Sequence, residues 1–172
     1  MLALFLLNTL WLTGVSCNFD YMKTTGEVNN DLVIFYADDD QDDRDIFSDA
    51  IGELHDISKL YTHEDGDGLL KALRNPPPTP SVVFVDLNMP GKTGFDVLKE
   101  IRTSERFSNI PVIVVSTSSD EKTINISREL GANFYIPKPT DYDDLKKSLN
   151  HALKINWQTF KPHWSDFVYR SN

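Results

Sequence analysis

The chain holds a single cysteine, Cys17, among its 172 residues. That excludes an intramolecular disulfide, leaves no thiolate cluster for zinc, and requires no oxidising compartment. Positive charge is scarce too: 17 Lys and Arg stand against 26 Asp and Glu, a formal net charge of −9. Phosphate contacts need a basic surface, so the balance speaks against a nucleic-acid partner. Long apolar runs are missing beyond the opening MLALFLLNTLWLTGV. That stretch is short for a membrane span, which needs about 20 apolar residues, and no Lys or Arg precedes it, the first being Lys23. LTGVSC resembles a lipoprotein cleavage site only loosely, because Gly14 stands where a branched aliphatic residue is wanted. Residues 1–21 are therefore set apart, as a mis-assigned start ahead of Met22 or else as an anchor, a signal or a docked helix.

What is present is ordinary for a globular protein: 40% hydrophobic and 25% charged residues, in a length suited to one domain with a proper core. From residue 31 onward, strand and helix patterns alternate five times. Strands are expected at 32–37, 57–62, 82–85, 112–115 and 133–136; helices are expected at about 41–54, 66–73, 94–102, 120–130 and 142–153. In the first helix, Ile46, Phe47, Ala50, Ile51 and Leu54 have the spacing of an inward stripe. Thr93 is placed to cap the third, and Gly131 to close the fourth in a left-handed conformation. Strict βα alternation implies an α/β fold with a parallel sheet, right-handed crossovers and helices on both faces. The tail, residues 155–172, carries Trp157, Phe160, Trp164, Phe167 and Tyr169, rings expected to pack back onto the domain.

Four apolar strands stop at polar residues: DLVIFYA at Asp38-Asp39-Asp40, SVVFV at Asp86, IPVIVV at Ser116 and NFYIP at Lys138. An open parallel sheet places its ligand at the carboxyl ends of its strands, so these side chains converge on one rim. Mg²⁺ takes oxygen ligands, one or two carboxylates among them. Asp39 and Asp86 are candidates for those, with Asp38 acting through water and the backbone carbonyl of Asn88 adding a ligand. Asp86, alone at the end of the most apolar strand, is the candidate nucleophile toward a phosphoryl group. Lys138 and Ser116 offer it a charge and a hydroxyl. A phosphatase of the Asp-x-Asp-x-Thr/Val kind is not matched, since Asp42 and Pro90 stand at the last position of that pattern. A calcium loop fails as well, with Asp43 where Gly is needed.

On these residues, 31–154 closely resembles the receiver domain of two-component response regulators. The family's acidic pair falls on Asp38 and Asp39 in IFYADDD, its phosphoacceptor on Asp86 in FVDLNMPG, its hydroxyl on Ser116 in PVIVVSTS, and its lysine on Lys138 before Pro139. Its switch aromatic, three residues before that lysine, falls on Tyr135. The resemblance implies a flavodoxin-like sheet of order 2-1-3-4-5 and phosphorylation of Asp86 with Mg²⁺ by a histidine kinase or histidine phosphotransfer protein. Ser116 would then swing to the phosphoryl group, Tyr135 would move inward, and the surface of helix 4, strand 5 and helix 5 would signal to a protein partner. That surface or the aromatic tail could also form a homodimer. No substrate turnover is implied beyond the protein's own phosphoryl transfer and dephosphorylation. A cytoplasmic setting is expected, where ATP-dependent kinases operate. The prolines before strand 3 and the lack of an attached output domain depart from many relatives, the latter suggesting a stand-alone receiver. The alternative is an interaction module that keeps the fold and works without phosphorylation.

Overall fold

A computed structural model describes residues 32–54, 57–75, 78–157, 159–160 and 163–170. The segment 1–21 and the Trp164 side chain therefore lie outside the described residues. Five parallel strands, β1 (Leu32–Ala37), β2 (Ile57–His63), β3 (Val82–Val85), β4 (Val112–Ser116) and β5 (Phe134–Pro137), form one sheet of order β2-β1-β3-β4-β5. β1, β3 and β4 are almost wholly buried, which is why they read as unbroken β-branched and aromatic runs.

Helices α1 (Gln41–Gly52), α2 (Gly66–Arg74), α3 (Gly94–Thr103) and α4 (Glu121–Glu129) supply the four crossovers, and α5 (Tyr142–Lys154) follows β5. Each begins on a side-chain cap: Asp40, Asp65, Thr93, Asp120 and Asp141 accept backbone N–H groups of the first turn. Thr93 and Asp96 complete a reciprocal capping box. At the other end of α4, Gly131 adopts a φ of 91°, where its missing Cβ avoids the Arg102 side chain. Arg102 binds the carbonyls of Gly131, Ser108 and Ile110 and the Asn133 side chain, tying α3 to the approaches of β4 and β5.

The core divides into two layers by strand alternation. Ile34, Tyr36, Phe84, Ile113 and Ile136 pack under α1 and α5, whereas Phe35, Val83, Val85, Val114 and Tyr135 pack under α2, α3 and α4. The stripe expected on α1 is corrected at one position. Phe47, Ala50 and Ile51 are buried, but Ile46 points outward and is 45% exposed. The helix also ends at Gly52, with Glu53 as its cap, so Leu54 lies just beyond it.

After α5 the chain turns back over the sheet. Trp157 lies against Phe134 and Phe160, and Tyr169 against His151. Val168 forms a parallel bridge with Tyr135, and Phe167 is buried in the α2–α3–α4 layer. Among the described residues, no helix is long and apolar enough to cross a membrane.

Candidate phosphoacceptor site

The hydrogen-bond ladder of the sheet continues one step past its strands and thereby fixes the backbone at the rim. The Asp38 amide donates to the His63 carbonyl (3.1 Å), the Asp86 amide to Ala37 (2.9 Å), and the Lys138 amide to Ser116 (2.7 Å). Asp38, Asp86 and Ser116 are consequently set in place by the central strands, with 1%, 3% and 0% exposure.

Lys138 reaches into this cluster. Its Nζ lies 2.8 Å from Asp38 Oδ2, 2.6 Å from Asp43 Oδ2 and 3.5 Å from Asp86 Oδ1. Burial lowers the lysine pKa, but the two hydrogen-bonded carboxylates and the charge of Asp86 outweigh it and leave the value above the ordinary one. Asp38 is thoroughly engaged: Tyr36 Oη donates to its Oδ2, and the Asp40 amide to its Oδ1 at 3.0 Å. Burial and the Asp38 charge raise the Tyr36 pKa, so this phenol stays a donor.

Asp86 differs from its neighbours. Its Oδ2 accepts the Asn88 amide at 2.6 Å, while its Oδ1 is buried without a hydrogen bond among the described residues. Burial raises its pKa; Lys138 and the Asn88 amide offset only part of that. A buried acceptor with no donor is costly, and it marks where an incoming electrophile or cation would be most stabilised.

Asp38, Asp39 and Asp86 each present a carboxylate oxygen, all within 4.8 Å of one another. An all-oxygen set of this size suits a hard divalent cation such as Mg²⁺. Asp39 is exposed and Asp86 Oδ1 is unbonded, so those two have open coordination, whereas Asp38 already holds three partners. Asn88 is exposed beside them, its amide committed to Asp86.

Ser116 Oγ accepts the Ser118 amide at 3.3 Å. Tyr135 lies inward, with 0% exposure, and its hydroxyl donates to the Ser118 carbonyl at 2.7 Å. Burial pushes its pKa up to about 12, moderated by a hydrogen bond with Ser116. The hydroxyl and aromatic positions are thus already joined through the β4–α4 loop.

Sequence reasoning missed Asp43, Tyr36 and Arg44. Tyr36 was signalled by strand alternation, since residues two apart share a face and Asp38 is in the site. Asp43 sits in the first turn of α1, which starts at the same rim, so the helix register could have indicated it. Arg44, whose Nη1 donates to the Asp38 carbonyl at 2.7 Å, had no comparable signal.

One glycine holds the site's floor. A Cβ on Gly94 would lie 2.2 Å from the Asp86 carbonyl oxygen and 2.8 Å from Leu87 Cα, both backbone atoms that cannot rotate away. Gly94→Ala is expected to cost about 3 kcal/mol by overpacking and to slow any reaction at Asp86. Urea unfolding checks this, and an unchanged midpoint would show that the turn yields freely.

Residues 34–150 match the response regulator receiver domain. Protein PilH of Pseudomonas aeruginosa is 34% identical over 104 residues, spanning 60% of this chain and 84% of that protein. Chemotaxis protein CheY-3 of Vibrio cholerae is 31% identical over 127 residues, 74% of this chain and 95% of its own. The structure of the phosphorylated cyanobacterial phytochrome response regulator RcpA aligns with a TM-score of 0.66 at 28% identity, covering 74% of this chain and 94% of that one. The Mn²⁺-bound form of response regulator Rcp1 aligns with a TM-score of 0.65 at 28% identity, covering 77% and 99%.

Proposed function

Because the chain belongs to the response regulator receiver domain family, we propose that it is a phosphoacceptor switch in which Asp86 receives the phosphoryl group. The observation that carries this reading is Asp86 Oδ1: buried, without a hydrogen bond, and 3.5 Å from the Lys138 ammonium. In the transfer, Oδ1 attacks phosphorus and the bond from phosphorus to a donor imidazole nitrogen breaks, its electrons staying on the ring. Lys138 meets one equatorial oxygen, and the Ser116 hydroxyl is the donor placed to turn toward another. Asp39 and Asp86, with Asp38 through water and the Asn88 carbonyl, are the residues that would hold Mg²⁺. When bound, the ion neutralises charge on the carboxylates and on the phosphoryl oxygens. The Mn²⁺ in the Rcp1 structure supports such a cation for this site.

The chemistry stops at the acyl phosphate and its hydrolysis, so the protein is not an enzyme toward an external substrate. Incubation with acetyl phosphate and Mg²⁺ tests this: one acid-stable, hydroxylamine-labile phosphoryl group per chain is expected. Multiple turnovers of a small phosphoester would instead make it a phosphatase. A phosphodonor that draws on ATP favours a cytoplasmic site of action, and a downstream protein partner would read the face of α4, β5 and α5.

A histidine kinase or phosphotransfer protein needs a foothold beside the rim. Ile46 at 45% and Tyr142 at 36% are the exposed large hydrophobics among the described residues, and both line the cavity of about 350 Å³ that also includes Lys138. Exposed apolar side chains clustered at a reactive rim fit a protein contact. Ile46→Asp is expected to slow transfer from the cognate donor protein by about tenfold, the equivalent of one lost anchor, while leaving labelling by acetyl phosphate unchanged. Equal slowing with both donors would place the effect inside the site rather than on a docking surface.

A further inference from the structure

We propose that the C-terminal segment 163–170 is a latch, bound in cis to the free edge of β5, whose docking is energetically coupled to the phosphoacceptor site. The inference rests on the phosphoacceptor reading of Asp86 and adds to it a means of regulation. The contact falls on one residue. The Tyr135 amide donates to the Phe167 carbonyl at 2.9 Å, and the Tyr169 amide donates to the Tyr135 carbonyl at 2.8 Å. Both outward-facing backbone groups of Tyr135 are therefore taken by the tail, as in the addition of a short strand to a sheet edge.

Side chains anchor the segment on both sides of the sheet. Phe167 is 1% exposed within the α2–α3–α4 layer, with the Arg128 guanidinium of α4 6.0 Å from its ring centroid. On the opposite side, Tyr169 lies 5.6 Å from His151 of α5. Helix α4 needs this help, since Ser127 is its one buried residue. Phe167 adds a fully buried ring beside Ile124 and Leu130, which are only partly buried.

From Tyr135 the path to the acceptor is continuous. Its hydroxyl donates to the Ser118 carbonyl, and the Ser118 amide donates to Ser116 Oγ. Ser116 is the hydroxyl that would meet the phosphoryl group. A docked tail holds the Tyr135 backbone, the inward ring holds the β4–α4 loop, and the loop sets the direction of Ser116. A ligand on Asp86 that engages Ser116 must then bind more tightly when the tail is docked and must, in return, tighten the tail.

The test uses the full chain with Mg²⁺ and beryllofluoride, a tetrahedral mimic of a carboxyl-bound phosphoryl group. Phe167→Ala is expected to speed hydrogen exchange of the Tyr135 and Tyr169 amides and to weaken beryllofluoride binding by about fivefold or more, the lower end of typical coupling. In the wild type, saturating beryllofluoride should slow Tyr169 exchange by the same factor. Phe167→Leu should restore most of the affinity. Tyr169→Pro removes one of the two hydrogen bonds while keeping the buried ring, so it must move both readouts in the direction of Phe167→Ala; it carries the test if the alanine variant does not fold. Freed amides with unchanged or tighter beryllofluoride binding would overturn the latch and leave the phosphoacceptor reading intact. Exchange protection that rises with protein concentration would overturn the cis arrangement in favour of a tail docked on a second copy. A wild type that takes up no beryllofluoride would bring down the phosphoacceptor reading and this one with it.

Discussion

Asp86→Asn is expected to abolish phosphoryl labelling completely and, in metal-free buffer at pH 7, to raise the melting temperature. Loss of labelling follows from chemistry, because an amide oxygen does not form the acyl phosphate that a carboxylate does. The gain in stability follows from burial. Asp86 has its pKa raised above the ordinary value of 3.8, burial outweighing Lys138 and the Asn88 amide. A carboxyl that holds its proton more tightly when folded stabilises the fold below the unfolded pKa. That contribution is lost as pH rises through the folded value, so at neutral pH the ionised group works against folding. Asparagine removes the charge and keeps the shape. One kcal/mol corresponds to a shift of roughly 2–8 °C for domains of this size, so a rise of about 3 °C or more is expected. The gain should shrink as the pH falls through the raised pKa of Asp86, where the wild-type carboxyl takes up its proton. Labelling that survives the substitution would remove Asp86 from its role, and a lower melting temperature would show that its charge is better paired than the buried Oδ1 indicates.

Lys138→Met should have the largest effect on stability. The ammonium is the shared counter-charge of Asp38, Asp43 and Asp86, and its side chain is 14% exposed. Methionine keeps most of the aliphatic stem, so the change removes charge more than packing. Leaving buried carboxylates unpaired costs about 3–5 kcal/mol; the half-exposed Asp43 favours the lower end, about 3 kcal/mol. Millimolar Mg²⁺ should recover part of the loss, because it neutralises Asp38 and Asp86, two of the carboxylates left without their counter-charge. Urea unfolding with and without Mg²⁺ measures the loss and its recovery. If the ion restores nothing, Asp38, Asp39 and Asp86 do not form a cation site. Labelling by acetyl phosphate should also slow sharply, since the developing charge on phosphorus loses its fixed partner.

Most of the fold was legible because this sheet is buried on both faces. β1, β3 and β4 have few polar residues to blur their limits, and the first polar residue after each is where the chain meets the rim. The five helices then followed from alternation, with Thr93 marking the start of α3 and Gly131 the end of α4; the caps at Asp40, Asp65, Asp120 and Asp141 were not read. Local patterns could not show long-range choices. Ile46 fits an apolar stripe by spacing, yet α1 is rotated so that Phe47, Ala50 and Ile51 fill the core and Ile46 faces the opening beside Lys138. Asp43 read as one more acid in an acidic run, because its partner is 95 residues away. Tyr135 entered the site only through the family resemblance; its link to Ser116 through Ser118 depends on tertiary contacts with no sequence periodicity.

The position of the tail also limits what the sheet can build with other copies. An open parallel sheet has two rows of unpaired backbone groups, one at each side, and a molecule with two such rows can add neighbours without end. Here the row at β5 is occupied by the bridge between Tyr135 and Val168, whereas among the described residues β2 pairs only with β1. A sheet with one row taken can add strands on one side only. The segment on β5 thus takes one of the two rows through which the sheet could be extended.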